Sequence, residues 1–246
     1  MKKAFFISDL HLGASHMADA LANEKKVVRF LDEIKEEASE LYLLGDVLDY
    51  WFEYKHVVPR GYVRFFGKLA EMADAGVKIT WLIGNHDIWI FDYIPSELGV
   101  KVVDGSILCN VLGTEFQMEH GDARVGDRKF RFMRSMFRNR FCQWLYAGVH
   151  PRWTVGFAYG CSRRSRNKKC DPEAHEKMKN VELLRRHTIK EIELGSPARY
   201  FVYGHLHHEV QEVLPDGRHF IILGAWINDF SYAVFDGKEF SLKKFS

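Results

Sequence analysis

Short apolar runs alternate with amphipathic stretches through the first 120 residues. Ala4-Phe5-Phe6-Ile7, Leu41-Tyr42-Leu43-Leu44 and the run from Val77 to Ile83 are brief and rich in branched or aromatic side chains. That is the pattern of strands buried on both faces. Asn23 to Ala38 places Val27, Phe30, Leu31 and Ile34 at spacings of three and four, and Arg60 to Ala75 does the same with Val63, Phe66, Leu69 and Met72. Such spacing predicts helices with one apolar face. Strand, helix, strand, helix, strand predicts βαβ units and an α/β fold. Further on, Ser106 to Leu112 and Glu115 to Glu119 predict a hairpin about Gly113-Thr114. A helix is expected from Glu173 to Leu194 and a strand over Tyr200 to Tyr203. Asp216-Gly217 and Asp236-Gly237, each between alternating apolar runs, predict hairpins in a strand-rich tail. The chain reads as one domain, 1–246, with a helical basic insertion over residues 123–195.

Composition narrows this only a little. With 246 residues, 47% hydrophobic and 28% charged, the chain has the make-up of a soluble globular protein, and disordered or collagen-like classes are excluded. No apolar run approaches the length of a membrane span. The apolar stretch after Met1-Lys2-Lys3 is too short for a signal-peptide core, which predicts a cytoplasmic protein. Cys109, Cys142, Cys161 and Cys170 form no C-x-x-C pair and read as free thiols.

Charge changes the picture more. Of 35 basic and 33 acidic residues, 13 and one lie between Arg124 and Lys169, leaving 22 and 32 elsewhere. An acidic body thus carries one strongly basic segment, which predicts an anionic partner. Within it Phe130, Met133, Phe137, Phe141 and Trp144 recur at helical spacing, and Arg131, Arg134 and Arg138 recur on another face. Such a helix can lie on an anionic membrane or wrap acyl chains as a lid. A second cluster, Arg163 to Lys169, suits a phosphate contact or a loop. Nucleic acid is a competing but less favoured partner.

Chemistry-bearing residues follow the apolar strands. Asp9 and His11 follow Ala4–Ile7, and Gly45-Asp46 follows Leu41–Leu44. Gly84-Asn85-His86-Asp87 follows Trp81–Ile83, His120-Gly121-Asp122 follows Phe116–Met118, and Gly204-His205-Leu206-His207 follows Phe201–Tyr203. Strand carboxyl ends are where α/β proteins build sites. Imidazole and carboxylate together form a mixed ligand set suited to Mn²⁺, Fe²⁺ or Zn²⁺, with Asn85 adding a neutral oxygen. The glycines Gly45, Gly84, Gly121 and Gly204 leave room for close backbone approach. Each motif alone is weak; their ordered series is specific.

That series resembles the calcineurin-like metallophosphoesterase superfamily, over residues 9 to 207. The resemblance implies a two-sheet β-sandwich flanked by helices. It implies two divalent ions, Mn²⁺ foremost, with Asp9, His11 and His207 on one, Asn85, His120 and His205 on the other, and Asp46 bridging. His86 would act as acid-base or phosphate-stabilising group, its ring oriented by Asp87. Ser8 to Gly13, Leu44 to Trp51, His120-Gly121-Asp122 and the basic insertion are most similar to the branch that cleaves the pyrophosphate of UDP-linked acylated sugars in lipid A biosynthesis. This implies release of UMP at the cytoplasmic face of the inner membrane, the protein being peripherally attached. In that setting Arg124, Arg131 and Arg134 are expected to bind substrate anions, and Phe137 and Phe141 its acyl chains. The chain departs from the branch at His86, where many members carry Arg and the wider superfamily has His. The alternatives are another metal-dependent phosphodiesterase or phosphatase acting on nucleotides or nucleic acid, and a non-catalytic scaffold. A complete ligand set disfavours the scaffold.

Overall fold

In the computed structural model, which describes residues 2–14, 17, 19–125, 128–156, 160 and 174–246, the apolar runs assemble into two facing sheets. The first contains β1 (Lys3–Ile7), β2 (Ala38–Leu43), β3 (Lys78–Leu82), β4 (Lys101–Val103), β10 (Ser231–Phe235) and β11 (Phe240–Lys244), in the order β11-β10-β1-β2-β3-β4. Strands β1 to β4 are parallel, and β10 runs antiparallel to β1. The second sheet has the order β5-β6-β7-β9-β8, from Ile107–Val111, Thr114–Glu119, Tyr200–Tyr203, His219–Ile222 and Val210–Val213.

Alternation along each strand divides its side chains between two cores. Ala4 and Phe6 of β1 point between the sheets, where they join Tyr42, Leu82, Phe116, Val202 and Phe235. Phe5 and Ile7 point outward, against α1 (Ala20–Ile34) and α2 (Val63–Asp74). Covering both faces explains why β1 is apolar throughout after Lys3, and each fully buried large side chain contributes roughly 1.5–3 kcal/mol of transfer free energy. The outer face of the second sheet, Phe201, Tyr203 and Phe220, meets Leu184 of α6 (Ala174–Glu193).

Helix ends differ from the periodicity for local reasons. Helix α1 starts at Ala20 because the Asp19 carboxylate accepts the amide of Ala22, and residue 38 already belongs to β2. Helix α2 starts at Val63, since Gly61 and Tyr62 have left-handed backbones. Its first amides, of Arg64 and Phe65, are accepted by Glu24 from α1. The first hairpin turns at Leu112-Gly113, both at positive φ, rather than at Gly113-Thr114. The expected amphipathic helix is two helices, α4 (Arg128–Arg138) and α5 (Arg140–Ala147), which corrects the single-face reading of Phe130 to Trp144. Between them the Asn139 side chain accepts the amides of Phe141 and Cys142 and starts a new helix. The short α3 (Tyr93–Leu98) and α7 (Trp226–Asp229) complete the named helices. The cluster Arg163 to Lys169, with Cys161 and Cys170, lies outside the described residues.

Candidate metal centre

All five strand-end motifs meet at one end of the sandwich. Asp9 Oδ1 lies 3.1 Å from His207 Nε2 and 3.8 Å from His11 Nε2. The two imidazole nitrogens face each other at 3.2 Å. Across the cluster Asp46 Oδ2 stands 3.3 Å from His120 Nε2 and 3.8 Å from His11 Nε2. Asp46, His120 and His205 form a second set whose ligand atoms lie within 4.8 Å of one another. Asp46 is thus the carboxylate common to both groups. One ring nitrogen of His86 also lies within 4.8 Å of His11 and Asp46.

The remaining atoms of these side chains are held by the fold. Asp9 Oδ2 accepts the Ser8 hydroxyl at 2.6 Å and the His205 amide at 2.9 Å. Asp46 Oδ1 accepts the His86 amide at 2.8 Å. His120 Nδ1 donates to the Leu44 carbonyl at 2.7 Å, which fixes the tautomer that leaves Nε2 as an acceptor. Gly45, at φ +86°, admits this ring: a Cβ there would stand 2.5 Å from His120 Nδ1. Asp9, His11, Asp46, His205 and His207 all have positive φ, sparsely populated conformations that cost energy and cluster at functional sites.

Two observations fit this set to cations. Among the described residues, buried Asn85 Oδ1 meets no hydrogen-bond partner, while Asp9 Oδ1 and His120 Nε2 face His207 Nε2 and Asp46 Oδ2 within the cluster. The electrostatics point the same way. Burial works to raise Asp9, yet His207 and then His120 hold it down at about 2. Burial opposes protonation of His120, but Asp46 pushes it well above the ordinary imidazole range. The field at the His120 ring thus favours positive charge, whereas burial and then the neighbouring His86 hold His11 well below the ordinary imidazole range.

Asp87 does not take the place expected of it. Its oxygens accept the amides of Val47 and Gly84 and the Trp81 indole, tying three segments together from inside. Burial and the charge of Asp46 raise it to about 6. The group facing His86 is Asp49, whose carbonyl accepts from Nδ1 at 3.0 Å and whose carboxylate lies 3.4 Å away. The same carboxylate stands 3.4 Å from His11 Nδ1. A buried aspartate in the apolar run after Asp46 was the available signal for it.

The expected substrate residues separate. Arg124 Nε donates to Glu119 and Arg134 Nε to Asp122, while Arg131 is exposed on the wall of a groove. Phe137 is half-buried against Trp89, whose indole donates to its carbonyl. Phe141 is 64% exposed and stacks on the equally open Trp144. The Phe130 ring approaches His205 at 6.5 Å, which brings α4 beside the candidate metal centre.

Known proteins resemble this chain. The sequence profile of calcineurin-like phosphoesterases matches residues 2–209. A UDP-2,3-diacylglucosamine hydrolase of Porphyromonas gingivalis is 42% identical, the match covering 96% of this chain and 94% of that protein. The protein of that name from Edwardsiella ictaluri is 28% identical over 90% of this chain and 83% of its own length. Among solved structures, an archaeal phosphodiesterase superimposes with a TM-score of 0.49 at 15% identity over 98% of both chains.

Proposed function

The chain belongs to the calcineurin-like phosphoesterase family, and from that premise we propose that it hydrolyses the pyrophosphate of UDP-2,3-diacylglucosamine to UMP and 2,3-diacylglucosamine 1-phosphate. The observation that carries the reading is the Asp46 carboxylate set between two imidazole groups, in a chain 42% identical to a hydrolase of that substrate. Asp9, His11 and His207 would hold one divalent ion, Asn85, His120 and His205 the other, and Asp46 both. When bound, such ions polarise phosphoryl oxygens and activate water for in-line attack. A mixed nitrogen and oxygen set suits Mn²⁺, with Fe²⁺ and Zn²⁺ as the competitors to test.

The other residues would serve substrate and surface. His86, held by Asp49 and partly open, donates a proton to a phosphoryl or leaving oxygen. Arg124, Arg131 and Arg134 attract the substrate's anions, and exposed Phe141 and Trp144 contact acyl chains. Phe132 and Trp153 are exposed as well, and the insertion that carries these side chains also carries Arg131, Arg140 and Arg152, a composition suited to the anionic cytoplasmic face of a membrane. Among the described residues no helix is long and apolar enough to cross one. The test is incubation of purified protein with Mn²⁺ and UDP-2,3-diacylglucosamine. Release of UMP is expected; hydrolysis of generic phosphodiesters without UMP release would move the assignment to another substrate.

A further inference from the structure

Beside the metal centre a cavity of about 300 Å³ opens near α4, walled in part by His120, Arg124, Arg134 and Arg138. Each arginine gives only part of its hydrogen-bonding capacity to an acid. Glu119 takes Nε of Arg124, Asp122 takes Nε of Arg134, and Asp104 pairs with Nη1 of Arg138. The Arg138 side chain is 17% exposed, yet among the described residues its buried Nε and Nη2 meet no acceptor. Leaving donors of a buried cation unpaired is costly, because their hydration is lost without replacement. Nε and Nη2 form one edge of the guanidinium fork, closed off in this conformation, which can bind an oxyanion through two parallel hydrogen bonds once the side chain turns it towards the cavity. Arg134 and Arg138 also line a second groove with Arg131, so the seat adjoins the solvent-open surface of α4.

We propose that this cavity seats the phosphoryl group of the substrate that is not under attack, with Arg138 as its bidentate donor and Arg124 and Arg134 beside it. The proposal rests on the pyrophosphate reading and adds to it. A pyrophosphate carries two anionic groups, and one metal centre engages one of them. The other must be desolvated next to His120, and it gains charge when the bridging bond breaks. Arg138 is placed to take that charge.

A ratio of inhibitors tests the second seat. Uridine 5′-(α,β-methylene)diphosphate can fill both seats and UMP only one. Their inhibition constants are measured on the Mn²⁺-loaded enzyme against a chromogenic phosphodiester. In the wild type the diphosphate should bind about ten- to a hundredfold more tightly, the usual range for charged hydrogen bonds. Arg138→Gln should shrink that advantage towards one, and Arg138→Lys, which keeps charge without the fork, should recover part of it. Ser106→Asp, which places a carboxylate on the cavity wall, should shrink it without removing a buried residue. An unchanged advantage in Arg138→Gln, or in Ser106→Asp if the first variant misfolds, overturns the proposal. So does a wild type with no advantage. Failure of the wild type to release UMP from the lipid nucleotide would instead defeat the substrate assignment, which the inhibitor ratio does not measure.

Discussion

Asp49 stands between two imidazoles, and its carboxylate reaches Nδ1 of both His11 and His86 at 3.4 Å. With His11 as a metal ligand this would be the carboxylate–imidazole–metal arrangement, in which the outer group fixes the ring and strengthens the ligand. Asp49→Asn should therefore weaken Mn²⁺ binding by about 10- to 100-fold, measured by metal titration. His86→Ala should behave differently. Its expected outcome is full metal content with turnover reduced by about 10²–10⁴, checked by elemental analysis beside steady-state rates. Unaltered turnover would assign the proton to another group. Sequence order misled at this point, because Asp87 is His86's neighbour along the chain. The turn after β3 sends Asp87 inward to Val47, Gly84 and Trp81, and brings a residue from the β2 loop to the ring instead.

Strands β1, β2, β3, β6 and β7 were legible because each is a short apolar run that ends in a polar ligand motif. The elements missed were those with no period to read. Strand β4 has three residues and α3 has six, too few to establish a spacing. The break at Asn139 was hidden for another reason: this one residue, with an extended backbone, is all that separates α4 from α5, so apolar spacing continues across the break. Its consequence is that Phe137 and Phe141 should respond oppositely to substitution. Phe137→Ala loses the Trp89 contact and should cost about 1–2 kcal/mol, below the roughly 3–5 kcal/mol of a fully buried Phe. Phe141→Ser should change stability by less than about 0.5 kcal/mol while impairing hydrolysis of acylated substrate. Thermal unfolding and rates on the lipid and on a chromogenic diester separate the two. Equal loss of stability in both would place Phe141 in the core.

At the scale of the molecule, five loops contribute acids and imidazoles whose crowded charges bound cations would compensate. Metal binding at this cluster is therefore expected to be linked to folding. Mn²⁺ at about 100 times its dissociation constant should stabilise the protein by about 2.7 kcal/mol per site, or roughly 5–10 °C in Tm for a chain of this size. Asp46→Ala should abolish most of that shift in a melting experiment with and without Mn²⁺. A wild type whose Tm ignores the metal would contradict the linkage. The sheet order has a separate bearing on synthesis. Strand β1 lies between β2 and β10, so one of its edges is closed only by residues 231–235, after the strands of the second sheet have been made. Until then the nascent chain presents the apolar run Ala4-Phe5-Phe6-Ile7 with an open ladder of amides and carbonyls, the kind of surface on which chains aggregate. A ribosome that stalls in the tail would leave an intermediate whose first-made strand is also its stickiest, and chaperone engagement should be greatest there.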